Sequence, residues 1–353
     1  MVEAKSRLAI AVQSAAIIAG ETVTGEIHLQ LGTPLPGSGL FLYFKGVEAT
    51  QWARNPAEQG KASNSAFSQG YSGKHFIVKH RYQVFASEAQ ILPAGQYCFP
   101  FTLRTPLDLP GTFTYEPEFN ALKQPGRTTG TIRYYLVGKM EGVGVEIGKV
   151  KVEVEVSRPL TEQGDAAVAE SSTSLKAWCC CGQGYVRVKA DLGKGAFTPN
   201  ENATVLIDIN NEMSSAKASG VRLSLIRKLR LRDTSGSSHL VVDSLVSVDC
   251  AQKISTGLDL LSSSRCILTV PIPQGPVSVH SSLIECDYWV QAEVVMEGLL
   301  CGGVSPSVEK RLVVYRPTID KAVRPKNLPK DWSPVLMPAV ALDAAAGHEY
   351  SHS

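Results

Sequence analysis

The sequence predicts an all-β protein built from two tandem antiparallel β-sandwiches of the immunoglobulin-like kind. Three observations carry this. Apolar residues recur at every second position in many short runs, while long helical periodicity is scarce. Gly and Pro turns punctuate those runs along the whole chain. Finally, two strand-rich regions flank a small, polar segment that has lost alternation, so two bodies and a linker account for the 353 residues better than one. The expected boundaries are a first sandwich over 1–157, a linker over 158–174, a second sandwich over 175–316 and a mostly extended or disordered tail over 317–353.

In the first region, Leu8 to Val12 opens as a strand. A glycine turn at Gly20 leads into Val23, Ile27, Leu29 and Leu31, which alternate with polar neighbours. Leu40 to Gly46 is a more uniformly apolar strand. Residues 53–75 are rich in Ser, Gly, Asn, Gln and Ala and read as a long exposed loop. Pro93 and Gly95 supply a tight turn, after which Tyr97, Phe99, Phe101 and Leu103 share one face. Pro100 cannot donate to a ladder, which places this strand at a sheet edge or a bulge. Val150, Val152, Val154 and Val156 face one way and the intervening charges the other. Val143, Val145 and Ile147 have the opposite parity, so a bulge is expected near Gly148.

The second region repeats the theme at Val186 to Leu192, Val205 to Ile209, Ile267 to Ile272, Tyr288 to Met296 and Arg311 to Tyr315. Beyond Arg316, five prolines between Pro317 and Pro338 punctuate the tail, with one candidate docked segment around Trp332 to Leu342.

Bulk properties exclude several classes. A formal charge of +2 is too near neutrality for wholesale nucleic-acid binding. No positively charged start leads into a long apolar run, and no window reaches the ~20 apolar residues of a membrane span, so a cytosolic chain is expected. Three of the 8 cysteines, Cys179, Cys180 and Cys181, are adjacent, which suits a reducing compartment better than a disulfide framework. These three could pack at the domain junction, carry an acyl chain, or hold a metal with Cys286 or Cys301. Adjacent cysteines lack the spacing of tetrahedral zinc ligands, so packing is favoured. The seven histidines are scattered, and phosphate-loop, nucleophile-elbow and zinc-protease motifs are all missing. The expectation is therefore a non-enzyme with no cofactor and no resident metal.

The sharpest charge feature is the run Val221 to Arg232, where Arg222, Ser224, Lys228, Arg230 and Arg232 can share one strand face. With Arg227, these cations are candidate contacts for anionic lipid headgroups or phosphate. The plain alternative is a solvated face that also protects a sheet edge.

Several motifs in order resemble the arrestin-domain-containing proteins, the alpha-arrestins. They are Ala19 to Gly25, Phe44 to Trp52, the Leu92 to Phe101 turn and FPF strand, the Leu109-Pro110-Gly111 turn, and Ile132 to Leu136. In the second region they are the cysteine cluster after Trp178, Phe197-Thr198-Pro199-Asn200-Glu201 with Ile209-Asn210-Asn211, and Val270 to Pro273 through Trp289. The resemblance covers roughly 7–316. Asn200 stands where the family has Gly, a substitution that tolerates positive φ. No amphipathic helix precedes the FPF strand, which sets the chain apart from the visual and beta-arrestin branch. The resemblance implies two arrestin-type sandwiches and a non-enzymatic cytosolic adaptor for endocytosis and endosomal sorting. Its partners would be the cytosolic tails of membrane proteins, with acidic phospholipids adding attraction at the plasma membrane or endosome. It also implies cargo contact near the first strand, where Lys5 and Arg7 are the candidates. The tail carries no Pro-Pro-x-Tyr motif, so ubiquitin-ligase recruitment is not supported. Two alternatives stand beside this reading: a stable subunit of an endosomal, retromer-like coat, and a cysteine-based metal or redox module.

Overall fold

A computed structural model describes residues 6–35, 39–54, 69–86, 91–116, 128–142, 145–158, 168–177, 181–251, 266–297 and 305–349, apart from short gaps at 318, 320, 325–327, 329–330 and 344–347. In chain order the first region forms β1 (Arg7–Val12), β2 (Ala16–Ile18), β3 (Thr22–Leu31), β4 (Gly39–Arg54), β5 (Gln69–Ala86), β6 (Gly95–Arg104), β7 (Phe113–Tyr115), β8 (Thr129–Gly142) and β9 (Val145–Ser157). The second forms β10 (Val168–Ala177), β11 (Cys181–Asp191), β12 (Ala196–Phe197), β13 (Asn202–Asn210), β14 (Ala218–Arg232), β15 (Ser238–Cys250), β16 (Cys266–Pro271), β17 (Val279–His280), β18 (Ile284–Met296) and β19 (Ser307–Val314). The tail adds β20 (Val335–Leu336), β21 (Val340–Leu342) and β22 (His348–Glu349).

Both bodies are two-sheet sandwiches. In the first, β1-β3-β6 faces β2-β9-β8-β4-β5, with β7 on the side of β8. Alternation makes the core. Ile27, Leu29, Phe99, Phe101 and Leu103 from one sheet and Leu42, Phe44, Tyr134, Leu136, Val154 and Val156 from the other are all buried. Tyr134 stacks on Phe44 at 6.0 Å between centroids and spends its hydroxyl on the Pro110 carbonyl at 2.7 Å, so the buried ring carries no unmet polar atom. Gly25 is required here, because a Cβ would lie 2.5 Å from both the Ala11 carbonyl oxygen and the Phe101 ring. In the second body β10-β11-β13-β16 faces β12-β19-β18-β14-β15, with β17 on β18.

The expected bulge is present. Met140 pairs with Gly148 but Glu141 with Glu146, so Ile147 is the extra residue that resets parity. Asn200 adopts φ 68°, the left-handed conformation that its position requires. Two expectations need correction. Residues 69–75 are not loop: β5 begins at Gln69 and pairs with β4 as far as Arg54, the polar composition being overridden by a cross-strand partner; residues 55–68 lie outside the described ones. Likewise, residues 168–174, expected as linker, are the start of β10, paired with β11.

Pro100 explains how the tail meets the body. β6 is the last body strand of its sheet, and β20 and β21 add to its free edge in parallel, at Tyr97–Cys98 and Phe101–Leu103. The Met337 N–H donates to the Cys98 carbonyl at 2.9 Å, so Cys98, Pro100 and Thr102 turn their backbone polar groups toward the tail. The donor that Pro100 lacks is thus a donor to the tail, and the tail ladder breaks between β20 and β21 opposite it. No bulge is needed, since β3 pairs with β6 in unbroken register.

The two sandwiches share a hydrogen-bonded junction. Glu48 on β4 is fully buried; it accepts the Ser281 hydroxyl at 2.5 Å and the Leu283 N–H at 3.1 Å from the second sandwich, with His75 Nδ1 at 3.1 Å. Thr50 donates to the Arg232 carbonyl at 2.6 Å.

Candidate functional site

The outer face of the larger sheet of the first sandwich carries a shallow groove of about 420 Å³. Lys45, Val47 and Ala49 reach it from β4, Lys74 and Phe76 from β5, Arg133 and Tyr135 from β8, and Lys149 and Lys151 from β9. The alternation that buries Phe44, Tyr134, Val154 and Val156 inside is what sends these cations outward. Register brings them together: Lys45 pairs with Tyr135, Val47 with Arg133, and Val137 with Lys151.

Among the described residues, Lys45, Lys74, Arg133, Lys149 and Lys151 meet no carboxylate at ion-pair distance. Burial, followed by repulsion from Lys149, Lys79, Lys139 and Lys151, lowers the pKa of Lys45. Aromatic faces support the ammonium groups instead, with Lys151 3.4 Å from the Tyr135 centroid and Lys45 5.0 Å from that of Tyr43. Glu141 stands at one end of the face, engaged by Arg81 at 3.1 Å. The groove is thus a concave surface with excess positive charge, an apolar floor at Val47 and Ala49, and an exposed ring at Phe76.

The cation row anticipated on β14 has a different character. Arg222 meets Asp249 at 2.8 Å, Arg227 meets Asp243 at 2.6 Å, Lys228 meets Glu309 at 2.8 Å, and Arg230 and Arg232 meet Glu285 at 3.0 and 2.9 Å. The row is a ladder of cross-strand ion pairs, so its field is largely cancelled. Nor does it protect an edge, because β14 lies between β18 and β15. Arg227 departs from the shared face: it turns inward and lies 5.0 Å from the Tyr115 ring of the first sandwich.

Arg7 is exposed at the start of β1, the outermost strand of its sheet. Lys5 lies outside the described residues, as do Cys179, Cys180 and Cys301. Cys181 opens β11. Cys286 is buried in the second core, where burial pushes its thiol up to about 12.

The groove escaped a reading of motifs because its cations are spread over four strands, of which β9 alone supplies two. The one local signal was the Lys149-Val150-Lys151 alternation, whose outward face was plain while its neighbours were not.

Comparisons with known proteins agree with this architecture of two sandwiches in tandem. The arrestin (or S-antigen) N-terminal domain matches residues 9–160, and the arrestin (or S-antigen) C-terminal domain matches 182–319. The chain belongs to the arrestin-domain-containing proteins. It is 21% identical over 334 residues to arrestin domain-containing protein 17 of Caenorhabditis elegans, covering 90% of this chain and 75% of that one. It is 24% identical over 213 residues to arrestin domain-containing protein 5 of Bos taurus, covering 57% and 58%. With arrestin domain-containing protein A of Dictyostelium discoideum it shares 23% over 217 residues, 60% of this chain and 36% of the other. No helix among the described residues is long and apolar enough to cross a membrane.

Proposed function

We propose that this protein is a non-enzymatic adaptor in membrane-protein trafficking, and that its groove holds acidic or phosphorylated segments of cytosolic tails. Family membership supports the adaptor role, since arrestin-domain proteins are known as non-catalytic adaptors. The observation that carries the choice of ligand is the set Lys45, Lys74, Arg133, Lys149 and Lys151, concentrated on one concave face without carboxylate partners. Such a surface attracts polyanions and discriminates weakly among sequences, which suits an adaptor serving several cargoes. Main-chain pairing at the edge of β1 beside Arg7, where among the described residues only Val12 at the far end is taken, by Val323, adds affinity without sequence demands. The working compartment is the cytoplasm, with peripheral recruitment to the plasma membrane or endosomes. The β14 row is the weaker candidate for an anionic headgroup, because such a group must first displace a carboxylate already in place.

The experiment is proximity labelling in the native cell with the wild-type chain and with Lys45→Glu/Lys149→Glu/Lys151→Glu. The adaptor reading expects membrane proteins to be enriched by the former and lost by the latter. Equal enrichment by both removes the groove, and absence of membrane proteins from both removes the adaptor.

A further inference from the structure

A second polar cluster lies on the outer face of the β1-β3-β6 sheet. Glu26 and His28, two residues apart on β3, project to the same side. Cys98 on β6 is the direct cross-strand partner of His28. Each side chain offers one donor atom, and the three donor atoms lie within 4.8 Å of one another, with His28 Nε2 3.2 Å from Glu26 Oε2.

Outer-face positions are ordinarily wet, yet His28 is 7% exposed and Cys98 4%. The tail covers them. Trp332 lies edge-on to the His28 ring at 5.6 Å, Leu336 pairs with Cys98, and the Met337 N–H donates to the Cys98 carbonyl.

We propose that Cys98, His28 and Glu26 form a binding site for a borderline-soft divalent metal ion, of which Zn²⁺ is the best match, closed over by the tail. The donor set of one sulfur, one imidazole nitrogen and one carboxylate suits zinc, and leaves a fourth position free. His28 Nε2, the ring nitrogen that lies 3.2 Å from Glu26 Oε2, is the one placed to share an ion with that carboxylate, and the imidazole proton then resides on Nδ1. Charge also balances. A thiolate and a carboxylate bring two negative charges against the two positive charges of the ion, and a neutral cluster can stay under Trp332. The Cys98 proton leaves to solvent as the metal–sulfur bond forms. Because the cover is the tail, binding couples to tail docking: whatever holds the ion holds Trp332 down, and lifting the tail opens the site.

The test is titration of the metal-stripped, reduced full chain with Co²⁺, followed by Zn²⁺. One equivalent of Co²⁺ should give a thiolate-to-metal charge-transfer band and tetrahedral visible absorption, both abolished by Zn²⁺. Cys98→Ser should lose the charge-transfer band, His28→Gln and Glu26→Gln should weaken binding at least tenfold, and Zn²⁺ should protect Cys98 from alkylation in peptide mass spectrometry. No band in the wild type overturns the proposal. So does a band that survives Cys98→Ser in full, since it would belong to other cysteines. Should Cys98→Ser fail to fold, Glu26→Gln at an exposed position decides, and unchanged Co²⁺ affinity there overturns the site equally.

Discussion

The carboxylate of Glu48, in the first sandwich, accepts the backbone N–H of Leu283, in the second, at 3.1 Å. Ser281 shares the same acceptor. One buried side chain thus satisfies two donors across the junction. Glu48→Ala leaves the Leu283 N–H without a partner, at about 1–3 kcal/mol for each orphaned donor. Urea unfolding should show that loss, and Glu48→Gln, which keeps an acceptor, should lose less. Small-angle scattering of Glu48→Ala should show the two bodies less tightly held.

Asp233 closes the β14–β15 hairpin beside the junction. Desolvation raises its pKa, but hydrogen bonds from the Ser235 side chain and from the backbone N–H groups of Ser237, Ser235 and Gly236 outweigh that, and the net shift is downward. A depressed folded value means that the stabilisation is present above the ordinary aspartate range and is lost as pH falls through the lowered one. Melting temperature against pH should therefore show wild type above Asp233→Asn near neutrality, with the two converging in acid. A gap that stays constant with pH would assign the turn's stability to shape and not to charge.

Gly25 faces the Phe101 ring and the Ala11 carbonyl. Gly25→Ala should destabilise by about 1–3 kcal/mol through overpacking. Gly70, with nothing within 4 Å of an added Cβ, should accept alanine with little change in thermal unfolding.

The tail covers the cluster of Glu26, His28 and Cys98 with Trp332 against the His28 ring and β20 alongside Cys98. Trp332→Ala removes one aromatic contact and its burial. If that weakens docking by one or two kcal/mol, the open population rises roughly 5–30-fold. Alkylation of Cys98, read by mass spectrometry, should accelerate accordingly, while Cys286 in the second core should not respond.

How much of this could be read beforehand differs from element to element. β9 was legible because its valines and charges alternate without interruption from Lys149 to Val156, and the parity change at Gly148 announced its own bulge. The start of β5 was not, since Gln69 to Lys74 has loop composition and becomes strand through pairing with Ala49 to Arg54. The β14 cations were visible as a run, but their partners, Asp243, Asp249, Glu285 and Glu309, arrive from three other strands, and no local pattern announces an ion pair made that way. The same holds for the groove, and for His28 beside Cys98: seventy residues of chain separate what one rung of a ladder brings together.

The central claim is that the first sandwich holds acidic tails through its lysines. Fluorescence anisotropy of an acidic cytosolic-tail peptide, phosphorylated and not, against the purified chain at graded salt tests it most directly. The account predicts tighter binding of the phosphorylated form, weakening with salt, and a loss of about tenfold or more in Lys45→Glu/Lys149→Glu/Lys151→Glu, since each exposed pair is worth up to ~1 kcal/mol. Arg222→Glu/Lys228→Glu/Arg230→Glu should change far less. Salt-independent binding, or equal loss from both triple variants, would contradict it.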